Sequence, residues 1–201
     1  MDIRQYLEFH RFAIEKQFDI ILEYQKRLVA SMKAAGFAEA RATDRSLEYM
    51  AADLDPDEIF TQRDVWLRFE WMHRAQQESI DSQQRLQQIE QHLGGINQLC
   101  GLILQSAKQG ISSVYGSTGW GKGRLVGSTE SLGNVILQAR NQSSHYEEGS
   151  PKQRVKDCFA HLHTDFGIPD DLTKNLARHV VFDVLGWHTY NDYHADMVKN
   201  F

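Results

Sequence analysis

Residues 128–149 read STESLGNVILQARNQSSHYEEG, and this stretch decides the fold class of the chain around it. Its apolar residues recur at steps of three and four, which places them on one face of an α-helix. They are Leu132, Val135, Ile136 and Ala139. Ser128 can cap the helix through its side-chain oxygen, and Glu130 places negative charge in the first turn. A glycine and a proline follow its end. We therefore predict a helix over about residues 128–147.

The rest of the chain repeats this helical character. Only three prolines occur in 201 residues, and strand-like alternation is hard to find. We predict an all-α fold, an antiparallel helical bundle in which residues 1–201 form a single domain. The other predicted helices cover residues 3–35, 45–52, 57–93, 96–114, 151–166 and 170–185, followed by one or two helical turns in the tail.

The boundaries of the longest predicted helix come from strong local signals. Asp55-Pro56-Asp57-Glu58 combines a cap, a proline at the first helical position and an acidic third residue. Gly94-Gly95 is expected to end this helix, and Gly36 to end the first one. The polar second half of residues 57–93 can bury only a thin seam, so we expect a long helix that projects or pairs with another helix. A solvated surface helix is the slightly favoured alternative. A structural helical adaptor built on it is the weakest of three functional interpretations.

Composition limits the location of the protein. No apolar run approaches the roughly 18–20 residues that cross a bilayer, and the N-terminus is charged from its second residue. Cys100 and Cys158 lie in apolar helical patterns and are expected to be buried thiols in a reducing compartment. We predict a cytoplasmic protein with no membrane partner.

Charge is unevenly distributed along the chain. The net charge is −5, which argues mildly against general nucleic-acid binding. Residues 105–160 nevertheless carry +3, which leaves −8 for the rest. The basic part of an acidic chain therefore surrounds residues 128–149, although chance clustering would explain this equally well.

Two patterns resemble common sites but lack essential residues. Gly116 to Gly123 has the Gly-x4-Gly-Lys spacing of a P-loop, but Gly123 replaces the magnesium-binding hydroxyl residue and no strand precedes it. A connecting loop is the favoured interpretation, ahead of a basic loop near RNA phosphates. The nine histidines show no zinc-like spacing, and we predict surface or capped histidines, no metal site and no cofactor.

One constellation remains, Arg140-Asn141-Gln142-Ser143-Ser144-His145. The spacing occurs a second time, from Arg68 to His73, but there a phenylalanine follows the arginine in an aromatic segment. A polar Asn141 follows Arg140, and His145 comes just before a predicted helix end. Histidine can act as acid or base near neutral pH, and arginine offers a charged fork to two phosphate oxygens. These residues suit RNA cleavage by the RNA's own 2′-hydroxyl.

Residues 139–149, ARNQSSHYEEG, resemble the signature of the HEPN superfamily of small all-α domains. That signature is an arginine, a polar residue, several further residues and a histidine on one helix. The resemblance implies a metal-independent endoribonuclease, a toxin or antiviral defence effector, with Arg140, Asn141 and His145 as catalytic residues. It also implies an RNA substrate, a homodimer with facing motifs, and the possibility of an antitoxin partner.

Two alternatives to this interpretation stay open. Some relatives of this kind are non-catalytic modules that bind a nucleotide or a protein partner. Alternatively, Arg140 pairs with a nearby glutamate and His145 caps carbonyl groups, in a purely structural role.

The motif raises a geometric problem of its own. Five residues at about 100° each separate Arg140 from His145 by about 140° on an ideal helix. A groove at the helix end or a second copy would bring the two side chains to one phosphate. We assign substrate-binding roles to the four nearby residues Lys122, Arg124, Ser144 and Tyr146.

Overall fold

The computed structural model describes the backbone of residues 1–51 and 62–201, and the side chains of residues 1–36, 70, 72–74 and 76–201. The predicted all-α helical bundle is confirmed. In the described residues the strands are limited to one antiparallel pair, β1 and β2, of two residues each. The elements are α1 (Ile3–Ala51), α2 (Gln62–Tyr115), a 3-10 helix (Gly116–Gly121), β1 (Leu125–Val126), β2 (Glu130–Ser131), α3 (Leu132–His145), a 3-10 helix (Tyr146–Glu148), α4 (Gln153–Phe166), α5 (Ala177–His179), a π-helix (Val180–Val184) and α6 (Tyr190–Asn200).

The chain divides into two compact units. One contains Met1–Glu23 and Gly94–Phe201, and the other contains Tyr24–Leu93. In the first unit, the Tyr6 hydroxyl donates to the Ser106 carbonyl at 3.0 Å, which joins the start of α1 to the last part of α2. In the second, the rings of Tyr24 and His92 meet edge to face, with centroids 5.8 Å apart.

Both long helices run past the glycines that were predicted to end them. α1 continues through Gly36 to Ala51, so residues 45–51 belong to it rather than to a separate short helix. α2 continues through Gly94-Gly95 and absorbs the helix predicted for residues 96–114. None of these glycines adopts a positive φ, and glycine inside a helix costs only about 1 kcal/mol. The Asp55-Pro56-Asp57-Glu58 start signal lies outside the described residues.

The central helix of the first unit is α3, and its predicted apolar face is correct. Leu132, Val135, Ile136 and Ala139 are all at most 1% exposed. The predicted cap is wrong: Ser131 accepts from the Asn134 backbone amide and caps α3. Ser128, the predicted cap, bonds to Asp165 instead. Glu130, predicted to lie in the first turn of the helix, lies in β2.

The glycine-rich segment before β1 is an ordered part of this packing. Gly133 of α3 donates to the Lys122 carbonyl at 3.0 Å. A Cβ at Gly133 would lie 2.4 Å from the Gly119 carbonyl oxygen. The absence of a side chain at Gly133 therefore allows residues 119–122 to lie against the first turn of α3.

The C-terminal elements differ from the prediction. Residues 170–176 are not an α-helix, and the helical segment there consists of α5 and the π-helix only. Asp171 instead accepts from Thr173 in a local turn, at 2.6 Å from its hydroxyl. α6 has 11 residues, longer than the turn or two expected, and Thr189 and Asp192 form a capping box at its start.

Two further features of the described chain are the length and polarity of its helices and the state of its two cysteines. None of the helices in residues 1–51 and 62–201 is long and apolar enough to span a membrane. Cys100 and Cys158 are free and buried as predicted, and desolvation raises the pKa of each thiol to about 12.

Candidate functional site

The candidate site lies at the C-terminal end of α3, where the Arg140–His145 motif ends the helix. The inward residues hold this end of the helix in place. Ala139 is 1% exposed and Gln142 is 3% exposed. Arg140 bonds to Gln105 of α2, whereas His145 lines a pocket that Arg140 does not line. The two side chains therefore diverge, as helix geometry predicts.

Arg140 is partly buried and bonded to neutral amides. Its Nε donates to the Gln105 side chain of α2, and its Nη1 donates to Asn141 Oδ1 at 3.3 Å. Within the described residues no carboxylate forms an ion pair with Arg140, so the pairing with a glutamate suggested by the structural alternative is not found there. Because both acceptors are neutral amide oxygens, no carboxylate among these partners competes with an anionic ligand for the guanidinium.

His145 is exposed and oriented by an acid. Its Nδ1 lies 2.6 Å from Glu148 Oε1, and the two side chains are 54% and 65% exposed. This contact replaces the carbonyl capping proposed in the structural alternative. A neutral imidazole that donates from Nδ1 to a carboxylate presents Nε2 as its free acceptor. His145 therefore offers a proton acceptor at Nε2. Because both side chains are exposed, the contact between His145 and Glu148 adds little to the stability of the fold.

A pocket of about 200 Å³ opens beside His145. Asn141, Tyr146 and Lys152 contribute polar wall, whereas Val155 and Leu172 contribute apolar wall. Arg140 does not line the pocket. Asn141 is the link, since it lines the pocket and also accepts the hydrogen bond from Arg140. Asn141 therefore connects Arg140 to the pocket that His145 lines.

Gln142 builds one wall of this pocket from inside. Its Nε2 donates to the carbonyls of Leu172 and Lys174 at 3.2 and 2.6 Å. Its Oε1 accepts from the Leu176 amide at 3.1 Å. Three backbone groups that a helix over residues 170–185 would use internally are thus bonded to one side chain. This is the physical reason that the predicted helix begins only at α5, and it fixes Leu172 against the pocket.

The four predicted substrate-binding residues fall into two groups. Ser144 and Tyr146 lie at the motif end, with Ser144 exposed and the Tyr146 hydroxyl donating to Glu147 at 2.9 Å. That hydrogen bond, more than desolvation, raises the pKa of Tyr146. Lys122 and Arg124 lie at the other end of α3. Their carbonyls accept from Gly133 and Leu132.

The distance along α3 separates the second group from the motif. Thirteen residues at about 1.5 Å each place the start of α3 roughly 20 Å from His145. The Arg124 guanidinium is also engaged by Asp196, with Nε 2.9 Å from Oδ1. Lys122 lies over the ring of Tyr115, 4.9 Å from its centroid. Within one chain neither cation reaches a phosphate held between Arg140 and His145.

Several residues of the site were missed by sequence reasoning. Glu148 had a readable signal, because an acid three residues after a histidine near a helix end is within reach of the imidazole. Gln105 and Leu172 had none, since each is about 30 residues from its partner and only the tertiary fold joins them. Lys152 was counted only as part of the basic region.

His161 and His163, two of the histidines considered as metal ligands, each have a partner within the chain. His161 bonds to Glu130 at 2.7 Å, and His163 to the Ile168 carbonyl at 2.6 Å. Across the described part of the chain, no three histidine, cysteine or acidic side chains are grouped so that they could hold a metal ion.

Comparisons with known proteins identified no relative: no family model, no curated protein and no solved structure matches this chain.

Proposed function

We propose that this protein is a metal-independent endoribonuclease whose catalytic residues are Arg140, Asn141 and His145. The observation that carries the proposal is the double role of Asn141, which bonds to Arg140 at 3.3 Å and lines the pocket with His145. The resemblance of residues 139–149 to the HEPN signature supports the same assignment. The composition of the site suits a substrate that carries both phosphate groups and polar bases.

The proposed reaction needs only groups that this site offers. The RNA 2′-oxygen attacks the adjacent phosphorus, the bond from phosphorus to the 5′-oxygen breaks, and a 2′,3′-cyclic phosphate forms. His145 Nε2 accepts the 2′-hydroxyl proton, and the protonated imidazole then returns a proton to the departing 5′-oxygen. Arg140 stabilises the charge that develops on the phosphorane oxygens. Such electrostatic stabilisation is usually the largest single contribution to catalysis.

The experiment that tests this proposal is cleavage of a labelled single-stranded RNA by the purified chain in the presence of a chelator. We expect products with 2′,3′-cyclic phosphate ends. His145→Ala should lower the rate by about 10²-fold, a usual size for acid–base catalysis. Arg140→Lys should lower it strongly as well, because lysine has no planar fork.

The second Arg-x4-His of the chain provides the matched control. His73→Ala removes the histidine of the other match and should leave cleavage unchanged. If His73→Ala abolishes cleavage and His145→Ala does not, the wrong motif has been assigned. If His73→Ala and His145→Ala both cleave RNA as fast as the original chain, the proposed function is refuted.

We also propose that the active form is a two-fold homodimer with the motifs facing one cleft. The support is the divergence of the side chains: Arg140 is directed to Gln105 of α2, whereas His145 lies in the pocket beside α4. A second copy would supply the missing cation or imidazole, and two-fold pairing brings one patch against itself. Solution scattering combined with crosslinking at position 145 tests this. An assembly with the two His145 residues on opposite outer faces rules out a shared cleft.

The non-catalytic alternative is favoured by one specific observation, that Arg140 does not line the pocket that contains His145. A single chain would then bind a nucleotide or a protein partner without cleaving RNA. Tight RNA binding with no product after prolonged incubation would support it. A role as a toxin or antiviral effector, with an antitoxin partner, belongs to the catalytic proposal. It predicts that expression arrests growth and that His145→Ala relieves the arrest.

A further inference from the structure

The pocket beside His145 has a mixed wall. Val155, which is 4% exposed, and the partly buried Leu172 supply apolar surface. Asn141 and His145 supply polar groups on the side of the motif. A concave site with apolar wall and a few placed polar groups is typical of pockets that bind small organic groups.

The amide of Asn141 has a defined orientation. Arginine can only donate hydrogen bonds, so the amide must present Oδ1 to Arg140 and direct Nδ2 elsewhere. Within the described residues Nδ2 donates to no other group. Because Asn141 lines the pocket, its Nδ2 is left for a ligand there, and a carbonyl or ring-nitrogen acceptor would satisfy it.

The pocket has room for a planar ring system, at a volume of about 200 Å³. The bases of a duplex are stacked and paired, so a base could enter only when it is turned out of a strand.

The charge at the mouth suits the backbone of such a strand. Lys152 lines the pocket, is exposed, and forms no ion pair within the described residues. Glu148, the acidic residue of the wall, is already bonded to His145. The free positive charge is therefore at the rim, where a flanking phosphate would lie when a base occupies the pocket.

We propose that this pocket holds one unstacked nucleobase beside the scissile phosphate, so that the substrate is single-stranded RNA read at one position. The inference rests on the proposed endoribonuclease function and adds a specificity site to it. Asn141 Nδ2 donates to the edge of the base, Leu172 and Val155 contact its ring, and Lys152 contacts the flanking phosphate.

The test uses the full chain and two RNAs, each with a single abasic ribonucleotide, on the 5′ or the 3′ side of the cleaved bond. Both RNAs keep the 2′-hydroxyl and the phosphate. We expect one of them to lose about tenfold or more in kcat/KM, because it lacks the base that Asn141, Leu172 and Val155 would contact. A duplex of the same sequence should not be cut.

Two matched variants separate the pocket from the surrounding surface. Ser150→Trp places a ring over the exposed rim of the pocket, and Gln153→Trp adds the same ring at an exposed position that does not line it. Ser150→Trp should lower cleavage of intact RNA about tenfold and abolish the penalty for the abasic RNA. Gln153→Trp should behave like the unmodified chain.

Failure of this inference and failure of the proposed function are distinguishable. If the chain cleaves both abasic RNAs as fast as intact RNA while His145→Ala is inactive, the function stands and the base pocket is refuted. If the chain cleaves no RNA, the function fails. Binding of the same oligonucleotides then decides the pocket, and equal affinities for intact and abasic strands overturn it.

Discussion

Replacing Gln142 by methionine should release residues 172–176 from α3 and so remove a wall of the pocket. Methionine has a similar volume and a similar helix propensity, so packing and helix formation change little. The substitution removes the bonds to the Leu172 and Lys174 carbonyls and the Leu176 amide. At about 0.5–1.5 kcal/mol each, three hydrogen bonds amount to about 3 kcal/mol. In a chain of this length that corresponds to a fall of about 6–12 °C in melting temperature.

Gln138 is the matched control. It is buried on the same helix, one turn earlier, at 4% exposure. Its side chain donates one hydrogen bond, to Asn134 at 3.0 Å. Gln138→Met should therefore cost about 1 kcal/mol and leave residues 172–176 in place.

Amide hydrogen exchange followed by mass spectrometry measures both effects. A peptide covering α4 reports the stability of the first unit, and a peptide covering residues 172–177 reports the local contact. Gln142→Met should accelerate exchange of the second peptide far more than Gln138→Met does. Equal exchange of residues 172–177 in the two variants would refute the assignment of Gln142 as the anchor of this segment.

Further predictions concern two glycines and one exposed carboxylate. Gly133→Ala should destabilise the chain by about 1–3 kcal/mol, because its Cβ would lie 2.4 Å from the Gly119 carbonyl oxygen. Gly94→Ala, which meets nothing within 4 Å, should stabilise it by up to about 1 kcal/mol. Urea denaturation compares the two, and the same sign for both would contradict the packing. The backbone amide and hydroxyl of Ser128 hold the pKa of Asp165 below its usual value, so the charged carboxylate favours the folded state. That stabilisation is present near neutral pH and is lost as the pH falls below about 4. Asp165→Asn should therefore show a weaker loss of stability between pH 5 and 3, and an unchanged pH dependence would exclude the contact as its source.

The sequence predicts those parts of the fold that depend on local periodicity. The apolar face of α3, the span of α4 within two residues and the burial of both cysteines follow from residues close together in the chain. Errors arise where a local signal is weak. Gly36 and Gly94 are predicted to end helices, yet a glycine can continue a helix at a cost of only about 1 kcal/mol.

The site was predictable to a different degree. The motif residues are visible as letters, and the angle between Arg140 and His145 follows from helix geometry alone. The partner of Arg140 and the wall at Leu172 are not visible, because each contact closes a loop of about 30 residues. Lys122 and Arg124 show the opposite error. They are near the motif in sequence, but a whole helix separates them from it, and Asp196 neutralises one of them.

The six residues from Arg140 to His145 serve both the core and the candidate site. Gln142 faces inward and bonds to backbone groups of residues 172–176, while Asn141 and His145 face the pocket that this segment closes. A substitution at Gln142 should therefore impair RNA cleavage through a pocket wall that no longer holds a base. The Gln142 variant should have a raised KM and a weaker discrimination against abasic RNA. Loss of His145 should instead lower kcat for every RNA sequence. The contrast separates a positioning residue from a catalytic one within a single helical turn.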